Sequence, residues 1–363
     1  MAKKMAKNIA KNIAKSIAKS IAKNIALKAS LAAFVGLTAT AATTVCLMLP
    51  ASAQPAPAAK VPAKLTPITI AQFGHVFLYM PLYVAVQGGF FKEQGLDVKL
   101  VSTGGDEKTF TAVSTGNAQF GVSDPTFAAI ARERGHGGKV VAGIVKGTPF
   151  WVITFKNEIK PITNPAGFAG FKVATYTAPS TSYAVMKNIL QNGGKPVKDA
   201  KIVQGAFGTL LPMIKANHAD MALEIEPMVS IANHQGAHIV YSPATMPGDF
   251  AFTGLTVSDD FFAKHPEQIQ AAVNALANAM KYIRKDAKGT LQIARKEFPE
   301  VPEGVIKEAL DRLVASGTSP ASPMLTKNAW DNAIALRKEL GDIKTGGSYE
   351  QNVDMKFVVK APH

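Results

Sequence analysis

The chain has 363 residues, a length that favours two domains, and its composition, 47% hydrophobic and 18% charged, excludes a globally disordered protein. The formal net charge is +14, but eight of the lysines and no acidic residue lie in residues 1–53. The basicity therefore belongs largely to this N-terminal segment, which weakens a nucleic-acid-binding interpretation. The only cysteine, Cys46, lies there too, so the remainder has neither a disulfide framework nor a thiol nucleophile.

The N-terminal segment has the order of a secretory signal. Lysines recur in an Ala-Lys-Asn/Ser-Ile repeat, residues 29–49 are apolar and uncharged, and Ala51, Ser52 and Ala53 follow Pro50. Because a charged region, an apolar region and a small-x-small site are typical of a signal peptide, we expect residues 1–53 to be removed by cleavage after Ala53 and the protein to be exported to the periplasm. The apolar run is also about long enough to remain as an uncut membrane anchor. The proline- and alanine-rich segment 54–65 predicts a flexible tether to the fold.

Strand-like and helix-like segments alternate in the rest of the chain. A first series predicts strands at 68–71, 98–101, 120–122, 140–144 and 151–155, with helices at 80–87, 108–115 and 125–134. A second series predicts strands at 172–174, 201–203, 221–223 and 239–241, with helices at 182–191, 209–216 and 228–234. A last strand at 252–257 precedes helices at 266–284, 289–297, 303–314 and 326–340. This alternation indicates an α/β fold with parallel sheets covered by helices.

Two such series predict two lobes. We assign residues 66–153 and 252–363 to the first lobe and residues 154–251 to the second. Because the last strand would return to the first lobe, two chain crossings would join the lobes.

Ligands of open α/β sheets bind beyond the carboxyl ends of the strands, and two-lobed proteins favour the cleft between lobes. The polar and aromatic residues at those ends form the candidate ligand-binding set: His75, Phe77, Tyr79, Ser123, Asp124, Tyr176, Ser180, Thr181, Ser182, Phe207, Glu224 and Glu226. The aromatic members could stack on a flat ligand, with core packing as the alternative. His75 could donate to a ligand oxygen or have a structural role.

The serine- and threonine-rich turn at 180–182 begins a predicted helix behind Pro179. Free backbone N–H groups, hydroxyls and the helix dipole at such a position suit an anion or a carbonyl oxygen. The same residue types also form ordinary helix caps, so both roles stay open.

Glu224 and Glu226 flank Ile225 after an apolar strand. We expect at most one of the two carboxylates to face the cleft. A carboxylate there would favour an amine or a ring N–H donor. A solvated pair or a hinge salt bridge is the alternative.

Motifs of catalysis are missing from the sequence. It contains no G-x-S-x-G, no P-loop, no H-E-x-x-H and no G-x-G-x-x-G. His234 and His238 have a spacing that helical metal sites use, but Gly236 interrupts them, so we expect neither a metal nor a cofactor. The residue types alone leave open a hydrolase that uses Ser123 or Ser182 with His75.

Several ordered runs are similar to one family. PLYVAVQGGFFKEQGLDVKLV at 81–101 resembles the opening of periplasmic solute-binding proteins of ABC importers, in the group that handles nitrate, aliphatic sulfonates, taurine and thiamine-precursor pyrimidines. Four further runs resemble successive segments of that group: STGNAQFGVSDP at 114–125, PSTSYAVMKNILQNGG at 179–194, ALEIEPMVSIANHQG at 222–236 and FTGLTVSDDFFAKHPE at 252–267. Asn117 and Gln119 stand where an acidic residue is common in the group. The resemblance covers about residues 66–345.

The resemblance implies a bilobal, type II-like periplasmic-binding-protein fold that closes on its ligand by hinge motion. It also implies binding loops at residues 75–79, 123–124 and 180–182 and at Glu226. We therefore expect a monomeric binding protein without enzymatic activity, whose partners are a small-molecule ligand and an ABC importer permease, with no nucleic acid. A sulfonate such as taurine, nitrate and a pyrimidine-like ligand all stay open. An enzyme related to thiamine-pyrimidine synthesis, whose cysteine-rich motif the chain lacks beyond Cys46, and a ligand-sensing module are the alternatives.

Overall fold

The computed structural model describes residues 62, 64–191, 195–243 and 249–362. The predicted signal peptide and nearly all of the predicted tether lie outside these residues, so those two predictions stay open. In the described part of the chain, no helix combines the length and the hydropathy that a membrane span requires.

The first of two five-stranded sheets has the order β2-β1-β3-β10-β4. Its strands are β1 (Thr66–Gln72), β2 (Leu96–Ser102), β3 (Phe120–Ser123), β4 (Gly138–Lys146) and β10 (Ala251–Ser258). Strand β1 runs parallel to β2 and β3, whereas β10 is antiparallel to both β3 and β4. Strands β3, β4 and β10 are buried almost throughout, as expected of strands covered on both faces.

The second sheet has the order β7-β6-β8-β5-β9. Its strands are β5 (Trp151–Thr154), β6 (Lys172–Tyr176), β7 (Lys201–Gly205), β8 (Met221–Glu224) and β9 (His238–Tyr241). Strand β6 is parallel to β7 and β8, and β5 is antiparallel to β8 and β9.

The sheets are therefore mixed, and the prediction of parallel sheets was wrong for β5 and β10. Each of these two strands is the first that the chain forms after it changes sheet. Residues 147–150 lead from β4 to β5, and the segment after β9 leads back to β10. The sequence partition puts residues 151–153 in the first lobe. In the structure, Trp151 pairs with Glu224 in the second sheet. The sheet boundary thus lies before Trp151. The predicted return of 252–257 to the first sheet is what the structure shows.

Helices cover both sheets at nearly the predicted positions. The first part of the chain has α1 (Met80–Gln87), α2 (Phe90–Glu93), α3 (Asp106–Ser114) and α4 (Phe127–Arg132), and the second lobe has α5 (Thr181–Gln191), α6 (Leu210–Lys215) and α7 (Met228–His234). The C-terminal part has α8 (Asp259–Lys264), α9 (Pro266–Lys285), α10 (Ala287–Glu297), α11 (Glu303–Ala315), α12 (Lys327–Glu339), α13 (Tyr349–Asn352) and α14 (Lys356–Val359). Single 3-10 turns lie at Phe77–Tyr79 and Pro165–Phe168.

The core of the first lobe includes the long helix α9. Its apolar residues recur at helical spacing, and Ile269, Val273, Leu276 and Met280 are fully buried. The helix packs against α1 and α2. This packing holds the first sheet rigidly behind the strand ends that face the second lobe.

Candidate functional site between the lobes

Two neighbouring cavities lie where the strand ends of the two sheets meet. The inner cavity has a volume of about 30 Å³, roughly that of one water molecule in the liquid. The outer cavity has a volume of about 330 Å³, within the range of small-molecule sites. Both are lined by Phe73, Asp106, Tyr176 and Ser180, so residues of both lobes enclose a common space.

Part of the predicted ligand-binding set lines this space. The inner cavity brings together Tyr79, Asp124, Tyr176, Ser180, Thr181 and Ser182. Phe207 lines the outer cavity. The other predicted residues, which line neither cavity, are His75, Phe77, Ser123, Glu224 and Glu226.

His75 is held by the end of α10. Its Nε2 lies 3.0 Å from Oε1 of Glu297, and its ring stacks on Phe298 with centroids 4.4 Å apart. The hydrogen bond from His75 lowers the pKa of the Glu297 carboxyl. Of the two roles that the sequence left open for His75, these contacts support the structural one.

Phe77 and Ser123 are buried away from the cavities. Phe77 is 0% exposed, and its ring packs against Phe298 with centroids 5.0 Å apart, which is core packing. Ser123 is also fully buried, and its hydroxyl has no hydrogen-bond partner among the described residues.

Asp124, at the end of β3, accepts hydrogen bonds from both lobes. Its Oδ1 accepts from the backbone N–H and the hydroxyl of Thr126, at 2.8 and 2.6 Å. Its Oδ2 accepts from the hydroxyl of Thr181 in the second lobe at 2.5 Å and from Nη2 of Arg337 at 2.7 Å. The carboxylate therefore joins three parts of the fold.

Arg337, on α12, is 1% exposed and lies between the lobes. Its Nη1 donates to the carbonyl oxygen of Pro179 in the second lobe at 2.9 Å and to Oδ2 of Asp342 at 3.0 Å. Its Nε donates to the hydroxyl of Thr126 at 3.2 Å. A buried guanidinium needs such partners because an unpaired charge in the interior is strongly unfavourable.

The turn at 180–182 forms the start of α5. Ser180 Oγ donates to the carbonyl of Tyr176 at 3.1 Å and accepts from the N–H of Tyr183 at 3.3 Å, so Ser180 acts as the helix cap. Ser182 Oγ accepts from the N–H of Tyr176 at 2.9 Å. The hydroxyls of Ser180 and Ser182 thus hold β6 to α5, whereas that of Thr181 donates to Asp124.

Tyr176 and Glu224 form a buried pair in the second lobe. The Tyr176 hydroxyl donates to Oε2 of Glu224 at 2.6 Å, and the N–H of Ile225 donates to the same oxygen at 3.1 Å. Burial raises the pKa of Glu224 to about 7 and that of Tyr176 well above its ordinary value. Oε1 of Glu224 has no partner in the described part of the protein.

Glu226 lies two residues beyond the end of β8, and its carboxylate contacts the C-terminal helices rather than Tyr176. Its Oε1 accepts from Nε of Arg312 on α11 at 2.6 Å and from the hydroxyl of Ser230 at 2.9 Å. Arg312 also pairs with Glu308, which lies 2.9 Å from Nε2 of His234. Of the roles left open for Glu226, the structure shows a salt bridge between the second lobe and the C-terminal helices.

Three aromatic rings meet at the boundary of the two cavities. Phe73, which follows β1, lies 5.6 Å from Phe207 and 6.3 Å from Tyr176 between ring centroids. Tyr176 and Phe207 are 5.7 Å apart. The ring of Phe207 is 40% exposed, so the cluster offers a partly open aromatic surface to the outer cavity.

Asp106, the first residue of α3, lines both cavities. Its Oδ1 accepts from the N–H of Asp124 at 2.9 Å. Burial, together with the nearby carboxylate of Asp124, raises the pKa of Asp106 to about 7. A carboxyl group at the meeting point of both cavities is thus partly protonated near neutral pH.

The sequence model of one family, described as NMT1/THI5 like, matches residues 77–289, which include most of the cavity-lining residues of both lobes. The chain belongs to the NMT1/THI5-like family. The match confirms the predicted resemblance.

Relatives of this NMT1/THI5-like chain include binding proteins. YtlA of Bacillus subtilis (strain 168), whose name describes it as a binding protein, is 22% identical over 315 residues that cover 84% of this chain and 92% of YtlA. The alkanesulfonate-binding protein SsuA of Xanthomonas axonopodis pv. citri, solved with MOPS, has a TM-score of 0.66 and 14% identity, covering 81% of this chain and 100% of SsuA. The periplasmic nitrate-binding protein NrtA of Synechocystis PCC 6803 has a TM-score of 0.60 and 15% identity, covering 77% of this chain and 83% of NrtA. These solved structures confirm the predicted bilobal fold.

The histidines considered as metal ligands or catalytic bases, His75, His234 and His238, bond to groups outside the two cavities. His234 contacts Glu308, and His238 lies 3.0 Å from the carbonyl oxygen of Ile159, so the two rings do not share a ligand. No group of three or more potential metal ligands occurs among residues 64–191, 195–243 and 249–362. His75 contacts Glu297, Phe298 and Tyr83. Among the described residues it does not contact Ser123 or Ser182, as the hydrolase hypothesis would require.

Phe73, Asp106 and Arg337 belong to the site but are missing from the predicted set. Phe73 and Asp106 lie two and five residues beyond the predicted strand ends and next to glycine, a position that could have drawn attention to them. Arg337 stands on the apolar stripe of α12, with Ala329, Trp330, Ala333 and Ile334. A charged residue on a buried helical face is itself a signal, because it requires a buried partner.

Proposed function

We propose that this NMT1/THI5-like protein is the solute-binding component of an ABC-type importer, which captures a small ligand between its lobes and delivers it to a membrane permease. The observation that carries the proposal is the enclosed space lined from both lobes, across which Thr181 donates to Asp124. Capture by lobe closure requires such a space and such contacts across it. The names of YtlA, SsuA and NrtA support the same function.

We further propose that export through the N-terminal signal, with cleavage after Ala53, places the protein in the periplasm as a monomer. By sheet membership, the first lobe would comprise residues 66–150 and 251–362, and the second lobe residues 151–241. This partition revises the predicted one. The ligand would contact the lining members of the predicted set, namely Tyr79, Asp124, Tyr176, Ser180, Thr181, Ser182 and Phe207.

The ligand classes that the resemblance raised differ in what they require of this space. A sulfonate such as taurine, or nitrate, requires hydrogen-bond donors and positive potential, and the start of α5 is the candidate for these. A pyrimidine-like ligand requires flat apolar faces, which Phe73, Tyr176 and Phe207 supply.

The contacts favour capture over catalysis. The hydroxyls of Ser180 and Thr181 donate to Tyr176 and Asp124, and no histidine lines either cavity among the described residues. A serine nucleophile would need an adjacent base to take its proton.

A thermal-shift panel on the purified protein, refolded to remove carried ligand, tests the proposal. It contains nitrate, taurine, alkanesulfonates, pyrimidines, carboxylates and amines. A ligand at 100 times its Kd stabilises the native state by about 2.7 kcal/mol, which raises Tm by roughly 2–4 °C in a protein of this size. X-ray scattering with the active compound should give a smaller radius of gyration. A flat panel together with an unchanged radius would contradict capture by closure.

A further inference from the structure

The side chains around the enclosed space carry an excess of negative charge. Asp106 and Asp124 line the inner cavity, and Glu224 lies directly behind Tyr176. No lysine, arginine or histidine lines the inner cavity in the part of the chain that the structure describes. Lys108 lines the outer cavity, but Asp106 and Glu107 accompany it there.

Arg337 is the nearest buried cation, and its donors are already used. A guanidinium has five N–H groups. Those of Arg337 meet five acceptor atoms, on Thr126, Pro179, Asp342, Asp124 and Thr181. Since two of these partners are carboxylates, Arg337 offers neither a free donor nor net positive charge to a ligand.

Three hydroxyl protons at the cavity are committed to the protein. Tyr176 donates to Glu224, Thr181 donates to Asp124, and Ser180 donates to the carbonyl of Tyr176. Their oxygens retain lone pairs and can accept from a ligand. These three hydroxyls therefore offer a ligand acceptors rather than donors, and the hydroxyls of Tyr79, Ser182 and Thr253 also line the inner cavity.

The helix start that could attract an anion already faces one. Thr181, the first residue of α5, donates to the carboxylate of Asp124 from the opposite lobe. A sulfonate or nitrate at that point would lie against Asp124 and Asp106, where like charges repel.

Asp106 and Glu224, two carboxyls near the space, accept hydrogen bonds only from uncharged groups among the described residues. Oε1 of Glu224 is unpartnered among the described residues, and Glu224 is 0% exposed. Burial is the first cause of the raised pKa values of Glu224 and Asp106, both about 7; the carboxylate of Asp124 adds to the shift of Asp106 and Arg337 opposes it. A positively charged ligand would supply what the protein lacks at this site.

We propose that the ligand is a small organic cation with N–H donors, such as an amidine or a protonated amino-heterocycle. Its cationic group would lie against Asp106 and Tyr176, which line both cavities. Its body would occupy the outer cavity beside Phe73 and Phe207, whose ring faces also attract cations. This inference rests on the proposed binding function and narrows its ligand class.

The test uses probes that differ in charge but little in shape. Benzamidine, benzamide and benzoate are titrated into the purified protein by calorimetry, together with guanidinium, 4-aminopyridine, methanesulfonate and nitrate. We expect a cation to bind, and benzamidine to bind about tenfold or more tightly than benzamide, with no heat from the anions. Asp106→Asn, which keeps an oxygen for the N–H of Asp124, should lower the cation affinity at least about tenfold. Asp97→Asn, on an exposed position of β2, is the matched control and should change nothing.

Each outcome separates this inference from the proposed function. If nitrate, methanesulfonate or benzoate binds instead, the protein is still a solute-binding protein and the cation inference is overturned. If neither the cations nor the anions bind, and scattering shows no closure with the wider ligand panel, both the cation inference and the proposed binding function are overturned. Denaturant unfolding of each unliganded variant checks its fold, and Glu224→Gln, which should also weaken cation binding, replaces Asp106→Asn if that variant is unfolded.

Discussion

Thr181 of the second lobe donates its hydroxyl proton to Oδ2 of Asp124 of the first lobe across 2.5 Å. The guanidinium of Arg337 reaches the same oxygen from α12, and it also holds the carbonyl of Pro179. One carboxylate oxygen thus joins the start of α5, the end of β3 and a C-terminal helix. This cluster fixes the relative position of the two lobes in the described structure.

Arg337→Ala should destabilise the protein by about 3–5 kcal/mol, because Asp124 and Asp342 would lose the cation that compensates them. Arg134→Ala is the matched control. Arg134 pairs with Glu107 on the surface, where an ion pair contributes only about 0–1 kcal/mol. Denaturant unfolding measures both free energies, and equal small losses would show that the buried cluster contributes little.

Thr181→Val removes the hydroxyl that crosses between the lobes while keeping the shape of the side chain. A hydrogen bond to a charged acceptor contributes about 1.5–3 kcal/mol, so the closed arrangement should weaken by that amount. Scattering should show a larger mean radius of gyration than for the wild-type protein. Thr111→Val removes an exposed hydroxyl on α3 and should leave the radius unchanged; a wild-type radius for Thr181→Val would argue against a role in closure.

Glu224 should make the protein less stable as the pH rises. Burial raises the pKa of Glu224 from 4.5 to about 7, so the folded state binds a proton that the unfolded state releases. The stabilisation is complete below about pH 4.5 and disappears as the pH rises through 7, a difference of about 3 kcal/mol. Glu224→Gln should remove this component, so the unfolding free energies of variant and wild type should converge or cross with increasing pH. Parallel curves from pH 4 to 9 would contradict the assignment.

Phe207→Ala and Phe77→Ala separate the aromatic surface of the cavity from the core. Phe77 is 0% exposed, and its truncation should destabilise the fold by about 3–5 kcal/mol. Phe207 is 40% exposed, so its truncation should cost about 1 kcal/mol or less while it weakens binding of a flat ligand. Unfolding measurements and titration with the active compound of the panel distinguish the two effects. A large stability loss at Phe207 would place it in the core.

The alternation of strands and helices could be predicted because buried strands and amphipathic helices leave local patterns. The direction of each strand and the sheet to which it belongs could not be predicted in this way. Trp151 and its neighbours in β5 are buried and apolar, and only four residues separate them from β4. Proximity along the chain therefore favoured the first sheet, whereas the crossing at 147–150 carries β5 into the second.

The site shows the same division between local and distant information. Asp124, Tyr176 and the turn at 180–182 could be found because they follow strand ends. The role of Arg337 depends on a contact with a residue 213 positions away, which no local pattern encodes. Strict strand alternation would put Glu224 and Glu226, two residues apart, on the same side, but Glu226 lies beyond the end of β8. No local pattern could tell that a tyrosine would meet one and Arg312 the other.

The position of β10 determines the order in which the lobes can be completed during synthesis. Strand β10 lies between β3 and β4, so until residue 258 is made the first sheet consists of two separate parts. All strands of the second sheet are present once Tyr241 has been made. Because domains fold as units while the chain emerges from the ribosome, the lobe that begins later can finish first. The contact between the lobes is completed last, since Arg337 comes near the end of the chain.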